Sequence, residues 1–146
     1  MLIFSLEMNH EQLALRMLSA ESEVSATRMR KVQLNDGEWK KVIKAGDDLG
    51  HAPIYIDDSP GLNLMTIRSR ARRLHSQRQL GLIVVDYLQL LEMGGRVENR
   101  QQEISQISRS LKQLARELSV PVVALSQLSR AVEARENHIP RMSDLR

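Results

Sequence analysis

The chain has no cysteine among its 146 residues, which removes disulfides, thiolate metal sites and cysteine nucleophiles at one stroke. Aromatic residues are scarce: Phe4, Trp39, Tyr55 and Tyr87 make up 3% of the sequence. That argues against a platform on which exposed bases stack, and leaves phosphate contacts as the route to any nucleic acid. The four histidines, His10, His51, His75 and His138, share no ligand-like spacing, so a metal held by imidazoles is not expected. No apolar run approaches the roughly 20 residues of a membrane helix, and no basic leader precedes the first apolar residues. A soluble, cytoplasmic protein without membrane contact is the expectation. The formal net charge of +3 permits contact with DNA without requiring it.

What is present fits one globular domain over residues 1–146, with 42% hydrophobic and 27% charged residues. Short apolar runs at Leu2 to Phe4, Ile54 to Ile56, Leu82 to Val85 and Val120 to Leu125 predict strands, and they lack polar alternation. Between them lie helical stretches with readable starts. Asn9 caps the first, with Gln12 at the capping-box position; Ser25 and Asn35 each stand between an apolar residue and its staple partner. The helix after Asn35 is expected to turn Trp39, Val42, Ile43 and Leu49 to the core. Asn63 caps a fourth, and a clean stripe of Ile104, Ile107, Leu111, Leu114 and Leu118 predicts a long helix from Arg100 to Leu118. Residues 92–100 have no periodicity and read as a loop. Uniformly apolar strands separated by helices predict an α/β fold, a mostly parallel sheet flanked by helices.

In such a sheet ligands gather beyond the carboxyl ends of the strands. There the sequence places Glu7, Asp57, Asp58, Asp86 and Gln127, each directly after an apolar strand. "GLIVVDYLQLL" ends a β-branched run in Asp86, the chemistry of a Walker-B element, whose rigid strand holds a carboxylate where Mg²⁺ meets nucleotide phosphates. Glu7 is suited to polarise an attacking water, and Gln127 to sense a γ-phosphate by hydrogen bonding. Each has a plainer reading. Many parallel strands end in Asp for capping, Glu7 favours a helix dipole, and Gln127 closes a turn. No GxxxxGK[ST] loop accompanies them, and none of Lys31, Lys40, Lys41, Lys44 or Lys112 stands in such a context.

"FSLEM", "SRARRL", "GLIVVDYLQLL", "ENRQQEISQISRSLKQLARELSVPVVALSQLSR" and "SDLR", in that order across nearly the whole chain, resemble the RecA-like motor domain of DnaB-type bacterial replicative DNA helicases. The resemblance implies a homohexamer that hydrolyses ATP with Mg²⁺, moves along single-stranded DNA and meets a primase and a helicase loader. It implies Glu7 as the catalytic glutamate, Asp86 as the Walker-B aspartate and Gln127 as the γ-phosphate sensor. The loop to Arg100, with Arg96, would face the DNA channel, and Arg146 would stand at the edge of a second DNA loop. The phosphate-binding loop and its strand would lie before Met1, and the arginine finger beyond Arg146. The expectation is therefore a domain truncated at both ends, without ATPase of its own. It would leave the strand at Val120 to Leu125 with an open edge that favours dimers or swapped assemblies.

Two other classes compete. A doubly wound receiver-type signalling domain would bind Mg²⁺ at acidic strand ends and be phosphorylated on Asp57 of "YIDD", although no lysine follows Lys112. A non-catalytic oligomerisation fragment is the other. The arginines Arg68, Arg70, Arg72 and Arg73 scatter around one helix and read as a solvated face or a subunit contact rather than a phosphate site.

Overall fold

A computed structural model describes residues 1–91, 100–128, 132–135, 137–141 and 144, with the side chains of residues 100–102 outside that description. In chain order the elements are β1 (Leu2–Ser5), α1 (His10–Ser22), α2 (Ala26–Arg30), α3 (Asp36–His51), β2 (Tyr55–Asp57), α4 (Leu64–Arg78), β3 (Ile83–Asp86), a 3-10 turn (Leu88–Leu90), α5 (Arg100–Leu118) and β4 (Val122–Ala124). The chain divides into two compact units, Met1–Glu7 with Ile56–Arg146, and Met8–Tyr55.

The larger unit is built on a sheet of order β2-β1-β3-β4. β3 runs parallel to both β1 and β4, which requires a crossover, and α5 supplies it between β3 and β4. Phe4, Ile83 and Val85 are wholly buried in the two inner strands. One face of each flanking helix is buried with them: Ile67 and Ala71 of α4, and Ile107 and Leu114 of α5, the latter two from the stripe read in the sequence, are each 0% exposed. The two helices pack together, and their polar faces are tied by Arg68 and Arg72, which both reach Glu117. Arg70 donates to both carboxylate oxygens of Asp57 at 2.6 Å and to Ser59 Oγ at 2.7 Å. Arg70, Arg72 and Arg73 are exposed, as a solvated face requires, and Arg68, Arg70 and Arg72 also tie neighbouring elements together on that face. After Asp57 the turn closes with Ser59 N–H donating to the Asp57 carboxylate at 3.2 Å, and with Gly61 at φ +70°, a backbone region that suits glycine.

β4 is uniformly apolar in composition, and among the described residues it stands at the edge of the sheet, as the expected open edge at Val120 to Leu125 requires. Val123 and Leu125 are 49% and 44% exposed. An apolar run marks a strand but does not say whether it lies inside a sheet or at its edge.

The smaller unit is helical. Asn9 accepts from Gln12 N–H, and Asn35 and Glu38 form a reciprocal capping box, as the spacing predicted. Ser25 makes no side-chain cap bond. The expected inward face of α3 is corrected: Trp39 is 43% and Ile43 66% exposed, while Ala45 is buried and Val42 and Leu49 are half-buried. Residues 42, 45 and 49 follow helical spacing, and the small Ala45 lets α1, which packs on α3, approach closely. That choice of seam turns Ile43 about 100° away from Val42, since each residue advances the helix by that angle.

Candidate functional site

The parallel ladder assembles the rim. Asp86 closes β3 as a half-buried residue directly after the wholly buried Val85. In the ladder it stands opposite Ser5, which is 2% exposed. The next residue, Leu6, donates its N–H to the Asp86 carbonyl at 2.8 Å, and the exposed Glu7 follows. On the other flank, Leu125 N–H donates to the Val85 carbonyl at 2.9 Å, and Leu88 N–H to the Leu125 carbonyl at 3.0 Å. Gln127, also exposed, comes two residues later. Because β3 lies between β1 and β4 and is parallel to both, Glu7 and Gln127 flank Asp86 at one edge of one sheet. The Asp86–Tyr87 peptide is cis.

A second set of contacts binds this edge together, and strand-end reasoning did not find it. The Gln89 side-chain amide donates through Nε2 to Gln127 carbonyl oxygen at 3.1 Å and to Ser126 Oγ at 2.8 Å, while its Oε1 accepts from Gln127 N–H at 3.2 Å. In the sequence Gln89 is one polar residue in the apolar run "LQLL", and nothing in that run marks a partner 38 positions away.

Asp57 is on a different footing. Burial would raise its carboxyl, but the hydrogen bonds from Arg70 and Ser59 outweigh this and hold it below the ordinary carboxylate range. Its two oxygens are taken up by Arg70, so it is not presented as a phosphate acceptor, and the receiver-type reading loses its key residue. Asp144 of "SDLR" was likewise missed by sequence reasoning. It is 2% exposed and receives Arg135 Nη1 at 2.8 Å, Arg135 Nη2 at 2.5 Å and Arg141 N–H at 2.7 Å. Chiefly through Arg135, these bonds hold its carboxyl below the usual range. The pair joins residues nine positions apart, and no periodicity signals a contact of that kind.

Of the expected DNA-facing residues, Arg96 and Arg146 lie outside the described residues, as do positions 92–99 of the loop. Arg100 opens α5, with its side chain outside the description. Among the described residues, no three His, Asp or Glu side chains gather as a metal cage. A magnesium ion bound with nucleotide does not need one. It takes one or two carboxylates, several waters and the phosphates themselves, and a single carboxylate fixed on a strand end fits that requirement. Among the described residues, no helix is long and apolar enough to cross a membrane.

A family model described as the DnaB-like helicase C-terminal domain matches residues 1–146. The chain is 54% identical over 145 residues to the replicative DNA helicase DnaB of Geobacillus stearothermophilus, covering 99% of this chain and 32% of that protein. It thus spans about a third of the length of that curated relative. Against the replicative DNA helicase DnaC of Bacillus subtilis the identity is 52% over 145 residues, with the same two shares covered. Among solved structures, a DnaB-like replicative helicase described with its interactions with primase superposes with a TM-score of 0.91 at 36% identity, covering 99% of this chain and 36% of that one.

Proposed function

The chain belongs to the DnaB-like helicase C-terminal domain family, and on that premise we propose that it forms part of an ATP-driven motor that moves on single-stranded DNA and separates strands during replication. The observation that carries this reading is the shared rim, where the β3 ladder sets Glu7 and Gln127 on either side of Asp86. Glu7 polarises and orients the attacking water. Asp86 would hold the Mg²⁺ that accompanies the nucleotide. Gln127 hydrogen-bonds a γ-phosphate oxygen and reports its presence to the DNA-facing segments. Magnesium, when bound, neutralises charge that develops on the phosphates. The uninterrupted match of the family over residues 1–146 supports treating both compact units as one partial motor domain.

Catalysis of phosphoryl transfer is mostly positioning and charge stabilisation. Residues 1–146 contain no glycine loop with lysine to grip the β- and γ-phosphates, so activity belongs to the full-length helicase that carries this segment. There it acts as a hexamer on single-stranded DNA, with a primase and a helicase loader as further partners. The test is ATP hydrolysis by that full-length protein: turnover should rise with added single-stranded DNA and stop when a chelator removes Mg²⁺. Hydrolysis that is absent, or indifferent to DNA, would end this reading.

The open edge of β4 bears on the isolated chain. Among the described residues β4 is the last strand of the sheet, and the outer edge of such a strand is a template for another strand, so residues 1–146 alone should self-associate as dimers or swapped assemblies. Light scattering across concentration checks this, and a monomer at every concentration would count against it.

A further inference from the structure

We infer that Gln89 is a positioning residue that locks the phosphate-sensing segment of β4 to the strand carrying the magnesium carboxylate. The inference rests on the reading of Gln127 as the sensor and adds what sets that sensor's place.

The argument starts from the ladder. Backbone pairing between β3 and the end of β4 continues through Leu125, whose N–H and carbonyl are bonded to Val85 and Leu88. A parallel ladder would next engage both backbone groups of residue 127, two positions on. At that point the β3 side has turned into the 3-10 turn Leu88–Leu90, whose own backbone bonds run Leu90 N–H to Tyr87 and Leu91 N–H to Leu88. The Gln89 side chain fills the missing rung. A primary amide carries the same donor and acceptor as a peptide group, and here it exchanges both bonds with the backbone of Gln127 while also donating to Ser126 Oγ.

Two consequences follow. Fixing N–H and carbonyl of Gln127 together restricts its φ and ψ, and so the origin of its side chain, without engaging the side-chain amide that is to meet phosphate. Gln89 also stands three residues after Asp86, so the group that anchors Gln127 belongs to the strand end that carries Asp86. Few side chains could do this. Glutamate keeps the acceptor but loses the donor, and asparagine is one methylene too short to keep both distances.

The experiment is a double-mutant cycle in the full-length helicase carrying this segment, read as single-stranded-DNA-stimulated ATPase. Gln89→Met keeps side-chain length and volume and removes every hydrogen bond. It should lower kcat about tenfold and leave KM for ATP within about twofold, the pattern of an interaction realised at turnover. Gln127→Ala should lower kcat at least as much, and Gln89→Met added to it should have no further effect, since a residue that only positions Gln127 has nothing left to position. A merely structural Gln89 would instead lower activity by the same factor in both backgrounds, and that result overturns the inference. So does a Gln89→Met enzyme with unchanged kcat beside a Gln127→Ala enzyme that has lost stimulation. If Gln127→Ala itself keeps full stimulation, the sensor reading fails and the inference falls with it. If Gln89→Met is too unstable to assay, Gln89→Glu takes its place in the same cycle. Its acceptor holds Gln127 N–H, its carboxylate repels the Gln127 carbonyl, and activity should recover as pH is lowered and the acid regains a donor. A pH response identical to that of the unsubstituted enzyme overturns the inference.

Discussion

Glu7→Gln in the full-length helicase is expected to lower DNA-stimulated kcat by about 10²- to 10⁴-fold, the contribution of a positioned general base. At about 1.36 kcal/mol per decade this corresponds to about 3 to 5 kcal/mol of transition-state stabilisation. The amide keeps the size of the carboxylate and loses only its ability to attract a proton from water. Glu7 is exposed at the bend after β1, so the substitution should change stability by no more than about 0.5 kcal/mol. ATP affinity should persist, because in the proposed role Glu7 meets the attacking water rather than the phosphates. Steady-state kinetics with a thermal melt of the same preparation checks all three points. Turnover within twofold of the unsubstituted enzyme would reduce Glu7 to a residue that begins a helix.

Phe4→Ala is expected to cost about 3 to 5 kcal/mol of folding stability. Phe4 is 0% exposed in an inner strand, and its ladder partner Val85 is equally buried. Truncation leaves a cavity between β1 and its cover that a four-residue strand, paired on both sides, has little freedom to collapse. Against a typical net stability of about 5 to 15 kcal/mol this is a large fraction. It also reaches the site, since Glu7 follows β1, whose ladder bonds to β3 run as far as Leu6. Urea denaturation monitored by circular dichroism measures the loss. A cost below about 1 kcal/mol would mean that β1 is not packed as an inner strand.

Residue chemistry explains which features were legible. Caps are local, so Asn9, Asn35 and Asn63 were found from spacing alone, and each accepts the backbone N–H three positions on. The stripe of α5 is equally local, and the helix runs over the expected Arg100–Leu118. The face of α3 was misread because Trp39 and Ile43 outrank Ala45 in hydrophobicity, whereas helix packing rewards a small residue at the point of closest approach. The ion pairs of Arg68 and Arg72 with Glu117 span 45 or more positions, and no pattern within one helix announces them.

The sequence by itself determined the α/β class, the strand-end residues Glu7, Asp86 and Gln127, and the family, because apolar periodicity and a long ordered series of motifs are written along the chain. Only the tertiary structure decided that β3 stands between β1 and β4, that Arg70 occupies Asp57, and that Gln89 completes the ladder at Gln127. Those are pairings between distant residues, and their free energy depends on which strands become neighbours, a quantity that no local window of sequence contains.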